Sequence, residues 1–221
     1  MKNDPIVVRT CKVRVSYPSL IEPYASEKDL AKGKTPSYSV TMMFDPTKEA
    51  DKECLNQMKV AVNEAIKKKY GNNPPVKLKK PFRKGVPYDS ETAPMGYDLE
   101  KHPYYEGMII VSARNTRKPG VMDKKSGQRL GEDPALLEQH KQLLYPGHWG
   151  IAVIRAYVYS NESTGVSFSL DSYIKMADDE PIAGGNIKPE DAFADLLNDP
   201  ADEQAHADEL LDGLDEDDLS F

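Results

Sequence analysis

The sequence has only two cysteines, Cys11 and Cys54, among its 221 residues. Two thiols cannot close a zinc site by themselves, and a chain of this length does not need a disulfide to stabilise its core. No apolar stretch reaches the 18 residues of a membrane-spanning helix, and residues 1–5 lack the apolar segment of a secretory signal. We therefore expect one main folded domain, in a reducing cytoplasm and without a membrane partner.

Motifs of the common catalytic and nucleotide-binding sites are missing as well. Residues 183–186, Ala-Gly-Gly-Asn, do not match a phosphate-binding or dinucleotide-binding loop. The histidines, which show no spacing typical of metal ligands, are His102, His140, His148 and His206. We therefore predict that the protein is not an enzyme and has no cofactor and no metal. The acidic pair Asp98 and Glu100 leaves a metal-dependent nuclease as an alternative, which incubation of a labelled single strand with magnesium or manganese would test.

The net charge of −7 conceals two regions of opposite sign. Residues 178–221 contain 16 acidic residues and one basic residue, a net charge of −15, whereas residues 1–177 contain 28 basic and 20 acidic residues, a net charge of +8. A basic domain followed by an acidic segment is typical of nucleic-acid-binding proteins that carry an interaction tail. The pattern predicts a binding domain over 1–177 and a disordered tail over 178–221, because an acidic segment poor in aromatics does not fold alone. A tail that serves solubility only is the alternative.

The apolar periodicity predicts a mainly β domain with one or two helices. Strands are predicted over 6–15, 37–44, 108–115, 121–130 (a short hairpin), 149–160 and 166–176. One helix is predicted over 47–70 with Asp45 as its N-cap, because Leu55, Met58, Val62, Ala65 and Ile66 follow helical spacing, and a shorter helix over 133–144. Five or six strands around a helix favour a small barrel over a βαβ sheet. We expect an embellished OB-fold-like β-barrel followed by the acidic tail.

The two faces of the predicted strand 149–160 differ in chemistry. Ala152, Ile154, Ala156 and Val158 suit a core, and the opposite face carries Ile151, Val153, Arg155, Tyr157 and Tyr159. On the strand 6–15, Val7, Cys11, Val13 and Val15 share one side, and Ile6, Val8, Thr10, Lys12 and Arg14 share the other. On the strand 149–160, a purely solvated face would seldom contain two tyrosines and an arginine in alternation.

Proteins that bind single-stranded nucleic acid combine a positively charged groove with aromatic side chains on which bases stack. Basic and aromatic residues also occur in the irregular segment 71–107, which contains six prolines. The predicted nucleic-acid-binding residues, chosen by alternation and charge, are Lys12, Arg14, Lys77, Lys79, Lys80, Phe82, Arg83, Lys84, Tyr104, Tyr105, Arg114, Arg117, Trp149, Arg155, Tyr157 and Tyr159.

The last seven residues of the sequence join an aromatic ring and a terminal carboxylate to a block of acid. Such a segment is a compact ligand for a hydrophobic pocket with a basic rim. The predicted partner-binding residues are Asp215, Glu216, Asp217, Asp218, Leu219 and Phe221. An arbitrary chain end is the alternative interpretation.

Taken together, these features resemble the single-stranded DNA-binding proteins of tailed bacteriophages. The resemblance rests on the mid-chain helix, the proline-rich excursion, the segment Tyr-Pro-Gly-His-Trp-Gly at 145–150 and the acidic tail with Phe221. The last four residues also follow the Asp-aliphatic-Pro-Phe ending of the bacterial proteins of this function, with serine at the proline position.

The resemblance implies an OB-fold core that coats and protects single-stranded DNA, independently of sequence, in phage replication, recombination and repair. It also implies tail contacts with a polymerase, helicase or primase in the cytoplasm of an infected bacterial cell. A recombination mediator or annealing protein is the main alternative, which the rate of complementary-strand annealing would separate. The sequence leaves a monomer and a homo-oligomer both open.

Overall fold

The computed structural model describes residues 4–89, 91–93, 95–160 and 163–182. The helices are α1 (Glu27–Ala31), α2 (Glu49–Tyr70) and α3 (Leu137–Leu143), with short 3-10 turns at Pro103–Tyr105 and Pro134–Leu136. The strands are β1 (Val7–Arg9), β2 (Val13–Tyr24), β3 (Ser37–Phe44), β4 (Phe82–Lys84), β5 (Ile109–Asn115), β6 (Gly120–Asp123), β7 (Arg129–Leu130), β8 (Trp149–Ser160) and β9 (Thr164–Ala177).

Five of the strands close a barrel in the order β2–β3–β5–β9–β8 and back to β2. All of these contacts are antiparallel except β5 with β9, which run parallel and pair at Ala113 and Phe168. The other strands extend the barrel, since β1 pairs with β8, β4 with β5, β6 with β9, and β7 with β6. The prediction of a mainly β, OB-like barrel is therefore confirmed.

Alternation along the strands fills the barrel with apolar side chains, because successive residues point to opposite faces. The interior side chains, all at most 1% exposed, include Val15, Val40, Met42, Phe44, Val111, Ala113, Phe168 and Leu170. The predicted core residues Ala152, Ile154 and Ala156 are buried, and Val158 packs against them half-buried. Helix α2 covers the barrel next to β8 and β1 with the predicted stripe, of which Leu55, Met58, Val62 and Ala65 are buried.

The prediction of one strand over residues 6–15 is wrong, because the chain breaks between β1 and β2. Thr10 turns inward there: its amide donates to the carbonyl oxygen of Ala152 (2.9 Å), and its hydroxyl accepts from the Ala152 amide (3.0 Å). Val8 and Thr10 are consequently buried, 6% and 3% exposed, although alternation placed them on the same side as Lys12 and Arg14. Strand β2 then continues to Tyr24, past two prolines, with irregular register after Ser16.

Helix α2 begins at Glu49, two residues after the predicted start, and Asp45 does not cap it. The Asp45 carboxylate instead accepts from the backbone amide (2.9 Å) and the hydroxyl (2.6 Å) of Thr47, a local turn that competes with helix formation. Helix α1 was not predicted, since five residues are too few to show helical periodicity. Ser26 caps it, with its hydroxyl accepting from the Asp29 amide (3.2 Å).

Candidate nucleic-acid interface

The outer face of β5, β8 and β9 carries two adjoining depressions, of about 510 Å³ and 860 Å³. Both are lined by Lys34, Arg114 and Tyr157, and we call them together the groove. Arg114 points outward because its neighbour Ala113 fills the barrel, and Tyr157 points outward because Ala156 does. Tyr157 is 38% exposed, so its ring face is accessible to a ligand.

The remaining lining of the groove consists mainly of hydroxyl groups. Ser37 and Thr35 come from the start of β3 and the loop before it, and the other lining residues of this type are Thr116, Tyr159, Ser160, Ser163, Ser167 and Ser169. Lys34 reaches the groove from the loop between β2 and β3, where its ammonium group lies 2.6 Å from the Asp29 carboxylate. A basic rim, an exposed ring and hydroxyls that donate or accept are the groups that bind phosphates and bases.

Residues of the long excursion place an aromatic cluster on the outer face of β2 and β3. The aromatic cluster consists of Tyr17, Tyr97, His102, Tyr104 and Tyr105, with neighbouring ring centroids 4.6–5.9 Å apart. Tyr105 is 2% exposed, and its hydroxyl lies 2.6 Å from Ser16 Oγ. Burial raises the pKa of Tyr105 to about 12, so this hydroxyl stays protonated and anchors the cluster.

The two edges of the aromatic cluster differ, because the Tyr17 edge is exposed and the Tyr97 edge is covered by Arg83. Tyr17 is 54% exposed and meets His102 edge to face. Its backbone has a positive φ of 46°, a conformation that non-glycine residues rarely adopt and that often marks functional sites. At the opposite edge, the Arg83 guanidinium lies 4.1 Å from the Tyr97 ring centroid and donates to the carbonyl oxygens of Met95 and Gly96.

A polar strip connects the groove with the aromatic cluster. Across β3 and β5, Ser39 pairs with Arg114, and Thr41 pairs with Ser112, their hydroxyls 2.9 Å apart. Strand β2 adds Ser16, the partner of Thr41 and of the buried Tyr105 hydroxyl. The three features therefore lie along one outer surface of the barrel.

Three other predicted residues lie together at a separate basic patch. The Lys12 ammonium lies 5.2 Å from the Trp149 ring centroid, and Arg14, which pairs with Trp149 across β2 and β8, donates to the carbonyl oxygen of Gly147 (3.0 Å). The chain segment that follows β9 packs against this patch, so its groups are already engaged.

Two predicted residues are held by the protein itself. The ring of Phe82 faces the interior and packs edge-on against the buried Phe168, with centroids 6.2 Å apart. Arg155 points outward as predicted, but its guanidinium lies 2.7 Å from the Asp4 carboxylate and 3.4 Å from that of Asp171. Phe82 thus packs half-buried against the core, and Arg155 is neutralised by two carboxylates.

The remaining basic residues of the predicted set are exposed around the barrel. The backbone of Lys79 pairs with the start of β9, where its amide donates to the Thr164 carbonyl oxygen and its carbonyl accepts from the Val166 amide (2.8 Å). The segment that contains Lys77, Lys79 and Lys80 therefore lies beside the start of β9. Arg117 lies just beyond β5. Lys84 instead faces a cleft against α2, away from the groove lining.

Sequence reasoning missed Tyr17, Lys34 and Tyr97. Tyr17 and Tyr97 lie in segments whose alternation is broken, so no periodic signal marked them. Lys34 could have been found from its loop, because the first inter-strand loop of an OB barrel commonly contributes to oligonucleotide binding. The predicted partner-binding residues 215–221 lie outside the described residues.

Residues 4–182, apart from the gaps stated above, contain no group of three His, Cys, Asp or Glu side chains that could hold a metal ion. None of the helices in these ranges is long and apolar enough to span a membrane.

Comparison with known proteins gives consistent matches over most of the chain. The structure is similar to a single-stranded DNA-binding protein from bacteriophage Enc34 in complex with ssDNA, with a TM-score of 0.62 and 25% identity over 81% of this chain and 91% of that one. A C-terminal truncation of the Enc34 protein matches with a TM-score of 0.60 and 26% identity, over 81% of this chain and 90% of that one.

In sequence, the chain is 22% identical to putative protein p50 of Acyrthosiphon pisum secondary endosymbiont phage 1, over 86% of this chain and 93% of the relative. The family model described as Enterobacter phage Enc34, ssDNA-binding protein, matches residues 6–209. The predicted resemblance to phage single-stranded DNA-binding proteins is confirmed. With its OB-like barrel and a match over nearly its whole length, this chain belongs to the Enc34 family of single-stranded DNA-binding proteins.

Proposed function

We propose that the protein binds single-stranded DNA, without sequence preference, along the surface from the groove to the aromatic cluster. The observation that carries this proposal is that Arg114 and the exposed ring of Tyr157 line the same groove, together with several serines. An arginine fits phosphate oxygens, and a tyrosine ring stacks on any base. Serine and threonine hydroxyls accept or donate to either kind of base edge, so this lining does not select a sequence.

The position of this surface on the barrel supports the proposal. In OB folds, the second and third barrel strands and the loops beside them form the usual oligonucleotide-binding face. The corresponding strands here are β3 and β5, which carry the polar strip and Arg114, and the loop after β2 supplies Lys34. A relative of the same family has been solved in complex with ssDNA.

The test compares two arginine substitutions in a titration of labelled oligo-dT followed by fluorescence anisotropy. Arg114→Gln removes a groove cation, and Arg9→Gln removes an exposed cation from a depression on another part of the barrel surface. If Arg114 contacts one phosphate, Arg114→Gln should weaken binding and reduce the slope of log affinity against log salt by about 0.7. Arg9→Gln should change neither quantity. Equal effects of the two variants would contradict the proposed groove.

We also propose that the acidic tail, residues 178–221, competes with DNA for the basic surface, and that residues 215–219 and Phe221 bind replication proteins such as a polymerase, helicase or primase. The support is the charge of −15 after Ala177 against +8 before it, together with the apolar Leu219 and Phe221 behind four acidic residues. In this proposal the protein coats and protects phage DNA during replication, recombination and repair in the host cytoplasm.

The proposed activity is binding without cleavage. Of the acidic pair that motivated a nuclease alternative, Asp98 lies 2.9 Å from the Lys101 ammonium, and its pKa is lowered chiefly by the hydrogen bond to that lysine. Incubation of a labelled single strand with the protein and magnesium or manganese should leave the strand intact. Metal-dependent shortening of the strand would establish a nuclease instead.

A further inference from the structure

The five residues after β9 fold back across the barrel instead of leaving it. We call this segment, Asp178–Ile182, the strap. The Tyr145 hydroxyl lies 3.0 Å from Asp178 Oδ1 and 2.9 Å from the Asp179 carbonyl oxygen, and the Ile182 amide donates to the carbonyl oxygen of Pro146 (2.8 Å). Ile182 also packs against the apolar group of Met43, Tyr105 and Ile110. The strap therefore begins at the basic patch and ends beside the aromatic cluster.

Within the strap, the Asp179 carboxylate contacts Trp149 and Arg14 of the basic patch. Its Oδ2 accepts a hydrogen bond from Trp149 Nε1 (2.7 Å) and lies 3.6 Å from Arg14 Nε. Arg14 Nη2 donates to the carbonyl oxygen of Glu180 (2.5 Å), and Lys12 lies over the Trp149 ring. The pKa of Asp179 is lowered, first by the backbone amide of Glu180 and then by Trp149, Arg14 and Lys12.

The backbone at Gly147 leaves room for the strap to approach this closely. Its φ of 109° lies in the region that favours glycine, and a Cβ at this position would lie 2.5 Å from the Glu180 carbonyl oxygen and 2.7 Å from the Ile182 nitrogen. A side chain at residue 147 would therefore displace the strap. The glycine at position 147 thus allows the strap to lie against the basic patch.

The groups that hold Asp179 are the groups that bind a nucleic-acid strand. A carboxylate oxygen and a phosphate oxygen accept the same charge-assisted hydrogen bonds from an indole N–H and a guanidinium. An indole ring also stacks on bases. Asp179 thus presents to Arg14 and Trp149 the same kind of acceptor that a backbone phosphate presents.

We propose that Lys12, Arg14 and Trp149 form a second DNA site, one phosphate and one base in size, which the strap occupies until the strand displaces it. This inference rests on the proposed function, because it places the path of the strand beyond the aromatic cluster. The patch lies next to the aromatic cluster, since Arg14 pairs with Met43 across β2 and β3, and Met43 packs against Tyr105 of that cluster.

The ion pair between Arg14 and Asp179 is weak enough for a phosphate to replace the Asp179 carboxylate. The side chains of Arg14 and Asp179 are 31% and 35% exposed, and ion pairs of this exposure contribute little to stability. A DNA strand bound from the groove to the aromatic cluster ends beside the patch, so its next phosphate competes with Asp179 at a high local concentration. The strap therefore acts as a built-in competitor for one end of the binding surface only.

The test uses the full chain and two alanine substitutions that each remove one negative charge from the strap. Asp179→Ala removes the carboxylate from Trp149 and Arg14. Glu180→Ala is the matched control, because Glu180 meets Arg14 through its backbone carbonyl and not through its side chain. Asp179→Ala should tighten binding of labelled oligo-dT by about two- to tenfold, the range expected for a partly exposed ion pair with one charge-assisted hydrogen bond. Glu180→Ala should change the affinity by less than Asp179→Ala does.

Trp149 is the only tryptophan of the chain, so its indole N–H gives a single assignable resonance in a ¹⁵N-resolved NMR spectrum. Saturating oligo-dT should shift this resonance, and Asp179→Ala should shift it in the free protein, whereas Glu180→Ala should not. Equal affinities of the two variants, or an indole resonance that does not move on DNA binding, would overturn the inference while leaving the groove intact. A wild-type protein that does not bind oligo-dT would overturn both the inference and the proposed function.

Discussion

The groove and the basic patch under the strap contain the same kinds of side chain but differ in how accessible these side chains are to DNA. Each combines cationic and aromatic side chains on the outer face of the barrel. In the groove, Arg114 and Tyr157 are exposed. At the patch, Arg14 and Trp149 already bind the Asp179 carboxylate and the Glu180 carbonyl. Strand alternation and charge therefore identify candidate DNA-binding surfaces. Whether such a surface is open or covered in the absence of DNA depends on segments distant in sequence.

The same contrast occurs within a single strand. Arg155 and Tyr157 are neighbours on the outer face of β8, and sequence reasoning assigned both to DNA. Tyr157 lines the groove, but Arg155 is paired with Asp4 and Asp171. A phosphate that approached Arg155 would have to replace two carboxylates, so we expect this arginine to contribute less than Arg114.

The largest expected effect is that of salt, which tests whether both regions act by neutralising phosphates. With three or four contacted phosphates, a slope of −0.7 per phosphate predicts an affinity loss of about 20- to 50-fold for a fourfold rise in salt. Anisotropy titrations of labelled oligo-dT at several salt concentrations measure this slope. An affinity that stays flat over this range would remove the electrostatic account of the groove and of the patch together.

The next largest effect separates stacking from charge. Tyr157→Ala and Tyr159→Ala should each weaken DNA binding by about 1–3 kcal/mol, the usual contribution of one stacked base, with nearly unchanged melting temperatures. Tyr70→Ala, at the end of α2, is the tyrosine control and should leave the affinity unchanged. If a groove variant unfolds while its DNA binding per folded molecule stays normal, its ring belongs to the packing of the barrel and not to the binding surface.

A smaller effect is expected from the acidic region beyond the strap. Truncation after Ile182 retains the strap and should tighten DNA binding severalfold at low salt, because it removes most of the −15 charge that competes for the basic surface. Deletion of Phe221 alone should leave the DNA affinity nearly unchanged and should abolish binding to a replication partner. Both variants are compared on one oligonucleotide, and weaker DNA binding by the truncated protein would exclude the competitor role.

The smallest effect concerns pH and the support of the patch. His148 is buried, with Nδ1 2.5 Å from the Tyr145 carbonyl oxygen and Nε2 2.7 Å from the Tyr173 hydroxyl, and burial lowers its pKa below the ordinary value of 6.5. Protons therefore bind the unfolded chain more readily than the folded one. The contribution of neutral His148 to the free energy of unfolding should be fully present above about pH 6.5. It should decrease as the pH falls below that value.

Urea denaturation between pH 5 and pH 7.5 measures this dependence. His148→Gln should abolish the slope in that window, although the substituted protein is expected to be less stable at every pH. A slope that persists in His148→Gln would assign the dependence to another group. Because His148 holds Tyr145, acid should also broaden or shift the Trp149 indole resonance before the groove is affected.

The amino-acid sequence alone determined the charge division, helix α2 and the two faces of β8. These features arise from residues close in sequence: helical spacing places Leu55, Met58 and Val62 on one stripe, and alternation separates Ala156 from Tyr157. The resemblance to phage single-stranded DNA-binding proteins also came from sequence, through the charge division and the segment 145–150.

Only the tertiary structure decided which outward groups are available and where the irregular segments lie. Phe82 turns inward because β4 adds to β5 in a register that places Phe82 beside Val111, on the interior side. Asp179 covers Trp149, 30 residues away, and Asp4 neutralises Arg155, 151 residues away. Such contacts depend on strand order and on the route of loops, which no local periodicity encodes, because they form only when distant segments of the chain meet on the closed barrel.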